Sequence, residues 1–117
     1  MVGHTGNYDA TIEAVEAVDY NLGRIMKAVE EDGSILLVMA DHGNAEEMYQ
    51  LTDREKKPKT SHTLNKVPFI IFGKNIDNIK IKDGDFGLAN VASTVAELFN
   101  INPNEHWLES IIKNNQN

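Results

Sequence analysis

The fold of this chain is decided by one short apolar stretch, Ile35-Leu36-Leu37-Val38-Met39-Ala40, which leads directly into Asp41-His42-Gly43. An apolar run without polar alternation is typical of a strand covered on both faces, as in parallel sheets. The run is too short for its periodicity alone to exclude a helix. Gly33 before it and the polar turn after it favour a strand.

A long amphipathic helix is predicted before this strand, from Asp9 to about Glu31. Asp9 is the expected N-cap, because its carboxylate can accept hydrogen bonds from the first turn. Gly33 is placed for a left-handed C-cap. The apolar residues of this segment recur at the helical steps of three and four: Ile12, Val15, Val18, Leu22, Ile25, Met26 and Val29.

The remainder of the chain predicts further helices and strands. In chain order these are a solvated loop over Leu51–Ser61, a strand over Val67–Phe72, a short strand at Ile79–Ile81, a helix over Leu88–Phe99, a closing turn over Trp107–Ile112 and a frayed polar tail over residues 113–117. This order indicates an α/β fold. An average sheet has about five or six strands, so we expect residues 1–112 to be part of a larger domain.

Composition excludes several classes of function. The 117 residues include 11 Lys and Arg, 18 Asp and Glu and no Cys, for a net charge of −7. The lack of Cys excludes a disulfide framework, a thiolate metal site and a cysteine nucleophile. The negative charge argues against nucleic acid or an acidic membrane surface as partner, and we expect neither nucleic acid nor a membrane to bind. No secretory signal is recognisable, and the lack of Cys fits a reducing compartment, so we expect a cytoplasmic protein.

Residues of the metal-ligand type occur at three places. Asp41 and His42 directly follow the buried strand, and ligands of α/β proteins gather at the carboxyl ends of strands. His62 lies shortly before the second strand, and His4 lies before the first helix. Two other interpretations stay open: the Asp41-His42-Gly43 segment as an ordinary turn after a strand, and the histidines as surface residues.

The remaining polar groups are interpreted as structural. His106 is left as a structural residue, and Glu46 and Glu47 are expected on a solvated helical turn. The basic segment Lys56–Lys59 is interpreted as a solvated loop in preference to a phosphate-binding patch. The sequence contains neither common glycine-rich phosphate loop nor a G-x-S-x-G nucleophile motif.

Three strings of the sequence resemble the C-terminal part of the cofactor-independent (2,3-bisphosphoglycerate-independent) phosphoglycerate mutases, members of the alkaline phosphatase-like metalloenzymes. The strings are M-V-G-H-T-G-N at Met1–Asn7, A-D-H-G-N-A-E at Ala40–Glu46 and H-T-L-N-K-V-P-F at His62–Phe69. They occur in the family's order, and the likeness extends to about Ile112. The resemblance implies part of a three-layer α/β/α domain with a mostly parallel sheet, of which this chain lacks some strands.

The resemblance also implies an activity and a metal centre. The family interconverts 3-phosphoglycerate and 2-phosphoglycerate through a phosphoserine at a site with two divalent ions and no organic cofactor. By position, His4 and His62 would ligate one ion, and Asp41 with His42 would ligate the other. Carboxylate and imidazole ligands without sulfur suit manganese, and also zinc, iron or cobalt.

Other parts of the family's active site have no counterpart in this sequence. The nucleophilic serine and the arginine-rich substrate clamp are not matched, because the chain's serines lie outside the nucleophile motif: Ser34, Ser61, Ser93 and Ser110. We therefore expect the chain alone to be inactive and to bind metal weakly. Its expected partners are phosphoglycerate and the N-terminal part of the enzyme. The alternatives are another phosphatase, phosphopentomutase or sulfatase of the superfamily, or a non-catalytic scaffold with an exposed apolar face.

Overall fold

The computed structural model describes residues 5–52, 55–58 and 63–115. The chain divides into two compact units, Met1–Lys74 and Asn75–Asn117. Among the described residues, the first unit contains one α-helix and four strands, and the second contains one α-helix and two strands. The predicted domain extent, residues 1–112, stays a prediction.

Helix α1 spans Tyr8–Asp32 and opens the first unit. Its N-cap is Asn7, whose Oδ1 accepts a hydrogen bond of 3.0 Å from the backbone N–H of Ala10. The prediction of Asp9 as the cap was wrong, because Asn7 offers a side-chain acceptor two residues earlier. Asp9 lies instead in the first turn, where negative charge is favourable. Gly33 ends the helix at φ 77°, which confirms the predicted left-handed cap.

The apolar stripe of α1 is largely exposed. Residues at helical spacing along it are 41% to 67% exposed: Ile12, Val15, Val18 and Ile25. The described part of the chain has no helix long and apolar enough to cross a lipid bilayer. Exposed apolar patches of this kind mark association surfaces, so α1 carries the mark expected of a scaffold that associates with further polypeptide.

The two strands predicted before and after Asp41 and His42 are present. Strand β1 spans Leu36–Met39 and pairs with β4, Phe69–Phe72, so that Leu36 lies opposite Phe72. The pairing is antiparallel, and the first three residues of β1 are half-buried instead of fully covered. All three pairs of described strands are antiparallel, so the predicted parallel neighbours are not found among them.

A hairpin occupies much of the segment that was predicted as a loop. Strand β2, Tyr49–Thr52, pairs with β3, Glu55–Pro58, and Thr52 lies opposite Glu55. The loop prediction was therefore wrong for these strands. A charged sequence that ends in proline predicts a loop, but the same composition is tolerated in edge strands.

The second unit joins a small strand pair to one helix. Strand β5, Ile79–Ile81, pairs antiparallel with β6, Ile112–Asn114. Helix α2 spans Val91–Leu98 and follows a 3₁₀ turn over Leu88–Asn90. The short strand at 79–81 and the helix within 88–99 are confirmed, although the helix begins with a tighter turn than the spacing predicted.

Only some of the residues predicted to pack in the closing segment, Trp107–Ile112, are buried in the second unit. Ile111 and Ile112 are buried, whereas Trp107 and Leu108 are exposed. Strand β6 extends beyond Ile112 to include Lys113, so the predicted frayed tail does not begin there. Pairing with β5 satisfies the backbone at these positions, which the polar composition of the tail did not indicate.

Buried hydroxyl groups on α2 hold this closing segment. Thr94 is fully buried; its Oγ1 donates a hydrogen bond of 2.8 Å to the carbonyl of Asn90 and accepts one of 2.9 Å from the N–H of Ile111. Ser93 donates to the carbonyl of Leu108. The inner face of α2 is therefore polar but hydrogen-bonded, as buried polar groups must be.

Candidate metal site

The predicted acid–imidazole pair lies on the turn that directly follows β1. His42 Nε2 and Asp41 Oδ1 are 3.5 Å apart, and their side chains are 28% and 85% exposed, respectively. The other ring nitrogen of the histidine, Nδ1, lies 3.0 Å from the carbonyl oxygen of Gly43. The two side chains thus face each other at an accessible position at the carboxyl end of a strand.

The contact to Gly43 determines which nitrogen of His42 is available as a ligand. A carbonyl oxygen only accepts hydrogen bonds, so Nδ1 must carry the proton, and in the neutral ring the lone pair is on Nε2. Metal-binding histidines are commonly oriented by such a bond from the second ring nitrogen. The lone pair is therefore on the nitrogen that lies beside the carboxylate of Asp41.

The spacing of this pair fits a bound divalent cation. Two ligand atoms at about 2.0–2.2 Å from a tetrahedral ion lie about 3.4 Å from each other. The observed separation of 3.5 Å between His42 Nε2 and Asp41 Oδ1 is close to that value. Asp41 and His42 are consequently able to act as two ligands of one ion without large rearrangement.

Gly43 couples this turn to the segment that begins at Thr63. The two residues form an isolated antiparallel bridge, in which the N–H of Thr63 donates 2.8 Å to the carbonyl of Gly43. A Cβ at position 43 would overlap the hydroxyl of Thr63 and the carboxylate of Glu46. Glycine is required here by this close approach.

Glu46 takes part in the same connection. Its Oε2 accepts a hydrogen bond of 2.6 Å from the N–H of Asn44, and its Oε1 accepts from the hydroxyl of Thr63 and, at 3.2 Å, from Asn65. The prediction of a solvated helical turn over Glu46 and Glu47 was wrong: residue 46 lies in a non-helical turn and is exposed but hydrogen-bonded. No sequence rule indicated this role, because the main partner, Thr63, is 17 residues away.

These hydrogen bonds set the acidity of Glu46. The bond from the Thr63 hydroxyl is the largest cause that lowers the pKa of this carboxyl group from 4.5 to about 2. Partial desolvation opposes the change, and the bonds within the turn and from Asn65 reinforce it. The carboxylate form is therefore the one that the folded turn stabilises.

We expect this pKa shift to make the stability of the turn depend on acidity. Because the folded pKa is the lower one, the contribution is complete above about pH 4.5 and is lost as the pH falls toward 2. Urea unfolding of the native chain and of Glu46→Gln should differ at pH 7 and converge near pH 2. Glu13→Gln removes the same charge from the same unit and supplies the baseline. A pH-independent difference would contradict this account.

The other two predicted ligands lie outside the described residues. His4 and His62 are both in this category, so the convergence of all four predicted ligands stays a prediction. Over residues 5–52, 55–58 and 63–115, no three His, Asp or Glu side chains are grouped closely enough to hold an ion. The described part of the site therefore consists of Asp41 and His42, with their supporting turn.

His106 lies in the second unit. Its Nε2 is 3.6 Å from Glu105 Oε1, and both side chains are more than 80% exposed. Its contacts are those of a surface residue, consistent with its omission from the predicted ligands. This histidine therefore supplies an internal comparison for the three histidines among the predicted ligands.

A small apolar pocket in the first unit offers no alternative ligand site. Its volume is about 210 Å³, whereas sites for small molecules are usually about 300–1,000 Å³. Its lining comes from α1 and from the segment after the Asp41–His42 turn: Tyr8, Thr11, Ile12, Val15, Glu16, Ala45 and Met48. Met48 is buried, so the pocket is better described as a packing gap beside α1.

An α/β chain with an adjacent carboxylate and imidazole at the end of a strand has the features of a metal-dependent enzyme domain. The chain belongs to the metalloenzyme superfamily, whose family model matches residues 1–103. This match confirms the α/β, alkaline phosphatase-like class predicted from the sequence. It also supports a dependence on divalent metal.

Known relatives make the resemblance more specific. The chain is 43% identical over 113 residues to the 2,3-bisphosphoglycerate-independent phosphoglycerate mutase of Antithamnion sp. and 44% identical over 124 residues to a probable one of Leptospira interrogans. These alignments cover 96% and 97% of the chain but 22% and 23% of the relatives.

A solved structure shows the same likeness. The crystal structure of Leishmania mexicana phosphoglycerate mutase at low cobalt concentration matches with a TM-score of 0.87 and 36% identity. The match covers 96% of this chain and 23% of that one. The resemblance to the C-terminal part of these mutases, which are isomerases, is thereby confirmed. The chain spans less than a quarter of the length of the relatives it matches.

Proposed function

We propose that this chain supplies part of the two-metal centre of a cofactor-independent phosphoglycerate mutase, an enzyme that interconverts 3-phosphoglycerate and 2-phosphoglycerate. The observation that carries this proposal is the separation of 3.5 Å between His42 Nε2 and Asp41 Oδ1 on the turn after β1. The names of the relatives supply the reaction. We further propose a cytoplasmic location and a role in the glycolytic interconversion of these two phosphates.

The residues of the proposed centre divide between two ions. Asp41 and His42 would hold one ion, and His4 and His62 would hold the other. Mn²⁺ is the proposed metal, and the ligand chemistry also suits zinc, iron or cobalt. When bound, such ions polarise a phosphoryl group and lower the pKa of an attacking hydroxyl.

The charge of the chain gives the cations a second task. The net charge of −7 would repel an anionic phosphoglycerate. Within this chain, the exposed carboxylate of Asp41 and the lone pair of His42 would bind a metal cation, and this cation would attract the anionic substrate. In the complete enzyme, the chain would thus contribute phosphate recognition through the ions that it holds.

The serine nucleophile of the reaction is proposed to lie outside this chain. Of the described serines, Ser34 donates to Asp32, Ser93 donates to the carbonyl of Leu108, and Ser110 is buried and bonded to the backbone of Ile112. None of these three lies on the Asp41–His42 turn. We therefore propose that the isolated chain has no mutase activity and works with the N-terminal part of the same enzyme.

A chimera tests the proposed function directly. This chain would replace the matching region of the Antithamnion mutase, and conversion of 3-phosphoglycerate would be followed in a coupled assay with Mn²⁺. The chimera should be active, Asp41→Asn should lower its activity at least about 100-fold, and Asp19→Asn on α1 should leave it unchanged. The isolated chain should show no turnover. A folded but inactive chimera, or an isolated chain with substantial turnover, would contradict the proposal.

The exposed stripe of α1 supports one competing interpretation, a non-catalytic scaffold that associates with another chain. Static light scattering of the purified chain distinguishes the two ideas when it is combined with the chimera assay. The scaffold interpretation would be favoured if the purified chain formed a stable complex that did not depend on metal and if the chimera was inactive. If the chimera is active on another phosphate ester in preference to phosphoglycerate, the chain belongs to a different phosphatase or to a phosphopentomutase.

A further inference from the structure

The carboxylate of Glu46 connects two segments that are distant in the sequence. On one side, its Oε2 accepts 2.6 Å from the N–H of Asn44, within the turn that carries the metal pair. On the other side, its Oε1 accepts from Thr63, which is 17 residues away, and from Asn65 at 3.2 Å. Glu46 therefore links two segments that each adjoin a predicted ligand, and Glu47 Oε2 adds a bond of 3.1 Å from Asn65.

The same contacts reach the ring of His42. The carbonyl of Gly43 accepts from His42 Nδ1 at 3.0 Å and from the N–H of Thr63 at 2.8 Å. Thr63 in turn donates its hydroxyl to Glu46. A continuous set of hydrogen bonds thus runs from the imidazole through the backbone to the carboxylate, and it directs the ring nitrogen that faces Asp41.

Glu46 does not act as a third ligand beside this pair. In the part of the chain that the structure describes, no three acidic or histidine side chains are grouped closely enough to share an ion. Both of its oxygens accept hydrogen bonds from the two segments. Its place in the structure is that of a support for the ligands and not of a ligand itself.

We propose that Glu46 is a positioning residue of the divalent-cation site, and that it acts by fixing the turn of Asp41 and His42 against the segment that begins at Thr63. The inference rests on the proposed metal function of that turn. Thr63 directly follows His62, so the carboxylate also restrains the chain next to a predicted ligand of the second ion. Removal of such an outer partner commonly weakens metal binding about 10- to 100-fold.

Cobalt titration of the intact chain tests the inference, because the visible absorption of Co²⁺ reports on its ligand geometry. Glu46→Ala and Thr63→Val should each weaken Co²⁺ binding about 10-fold or more and alter the spectrum. The double variant should be no worse than the more affected single variant, because both break one connection. Glu46→Gln keeps an acceptor oxygen for Thr63 and should restore part of the affinity. Glu13→Gln removes the same charge from α1, outside these contacts, and should change the affinity less than about twofold.

A second readout needs no metal. Nitrogen NMR of the histidine rings should show His42 protonated on Nδ1 in the native chain and in Glu13→Gln. In Glu46→Ala and Thr63→Val, a larger fraction of the His42 rings than in the native chain should carry the proton on Nε2, because the carbonyl of Gly43 is no longer held in place. If Glu46→Ala fails to fold, Thr63→Val and Glu46→Gln carry both measurements.

The outcomes separate this inference from the proposed function. Co²⁺ affinity that survives both Asp41→Asn and His42→Ala would overturn the metal site itself. A second outcome would overturn the positioning role alone. In it, Asp41→Asn and His42→Ala lose Co²⁺ affinity, whereas Glu46→Ala and Thr63→Val keep the native affinity, spectrum and His42 tautomer. Loss in all four variants, with partial recovery in Glu46→Gln, is the result that the inference predicts.

Discussion

Replacement of His42 by alanine should weaken Mn²⁺ binding at least about 100-fold while the chain stays folded. Loss of a residue that only orients a ligand commonly lowers metal affinity about 10- to 100-fold. Here a proposed ligand itself is removed, and Asp41 loses its neighbour at 3.5 Å. The ring is partly exposed, and its Nδ1 bonds to the carbonyl of Gly43, so the stability cost should be about 1 kcal/mol. Isothermal titration and urea unfolding measure the two quantities.

His106 supplies the matched control for this substitution. It is also a histidine beside a carboxylate, at 3.6 Å from Glu105, but it lies in the second unit. His106→Ala should leave Mn²⁺ affinity unchanged. If His42→Ala unfolded the chain without any effect on metal binding, His42 would be a structural residue. A submicromolar dissociation constant for the native isolated chain would also contradict the expected weak, incomplete site.

Replacement of Ile112 by alanine should have the largest effect on stability. Ile112 is 0% exposed, and it begins β6, which returns the closing segment to α2 and β5. Truncation of a buried isoleucine removes its transfer free energy and leaves a cavity, which together cost about 2–5 kcal/mol. Urea unfolding, monitored by the fluorescence of Trp107 in the same unit, measures this loss.

Ile81 is the control because it is the same residue type and lies directly opposite Ile112 in the β5–β6 register. It is 60% exposed, so Ile81→Ala should cost less than about 1 kcal/mol. Equal losses in the two variants would show that the packing of β6 is not what holds the unit together. Metal affinity of the first unit should be the same in both variants.

The elements that local sequence rules describe well were predicted correctly. The apolar spacing from Ile12 to Val29 and the glycine at position 33 defined α1, because helical periodicity and a left-handed cap are local properties. The start of the helix was misplaced by two residues, since Asn7 and Asp9 are both good caps and only the backbone geometry distinguishes them.

Strand pairing was the less predictable part of the fold. The apolar run ending at Met39 predicted a strand but did not determine the direction of its neighbour, which depends on the path of the chain between Ala40 and Pro68. The hairpin of β2 and β3 was missed because the sequence between the two strands contains none of the Asn-Gly or Asp-Gly pairs that predict such turns.

Residue type suggested the ligands, which stay a prediction, but did not suggest the hydrogen bonds around them. Asp41 and His42 were chosen because a carboxylate and an imidazole follow an apolar strand. Glu46 was interpreted as solvated, because its main partner, Thr63, is 17 residues away and belongs to another segment. Sequence spacing predicts contacts within an element and gives no direct information about contacts between segments.

Paramagnetic NMR tests the central claim most directly. Substoichiometric Mn²⁺ is added to the native chain, and the carbon–proton signals of its four histidine rings are followed. The account predicts that the signals of His4, His42 and His62 broaden first, while that of His106 persists. If His106 broadened as early as the others, or if all four signals were unaffected while acidic residues of α1 broadened, the proposed metal centre would be contradicted.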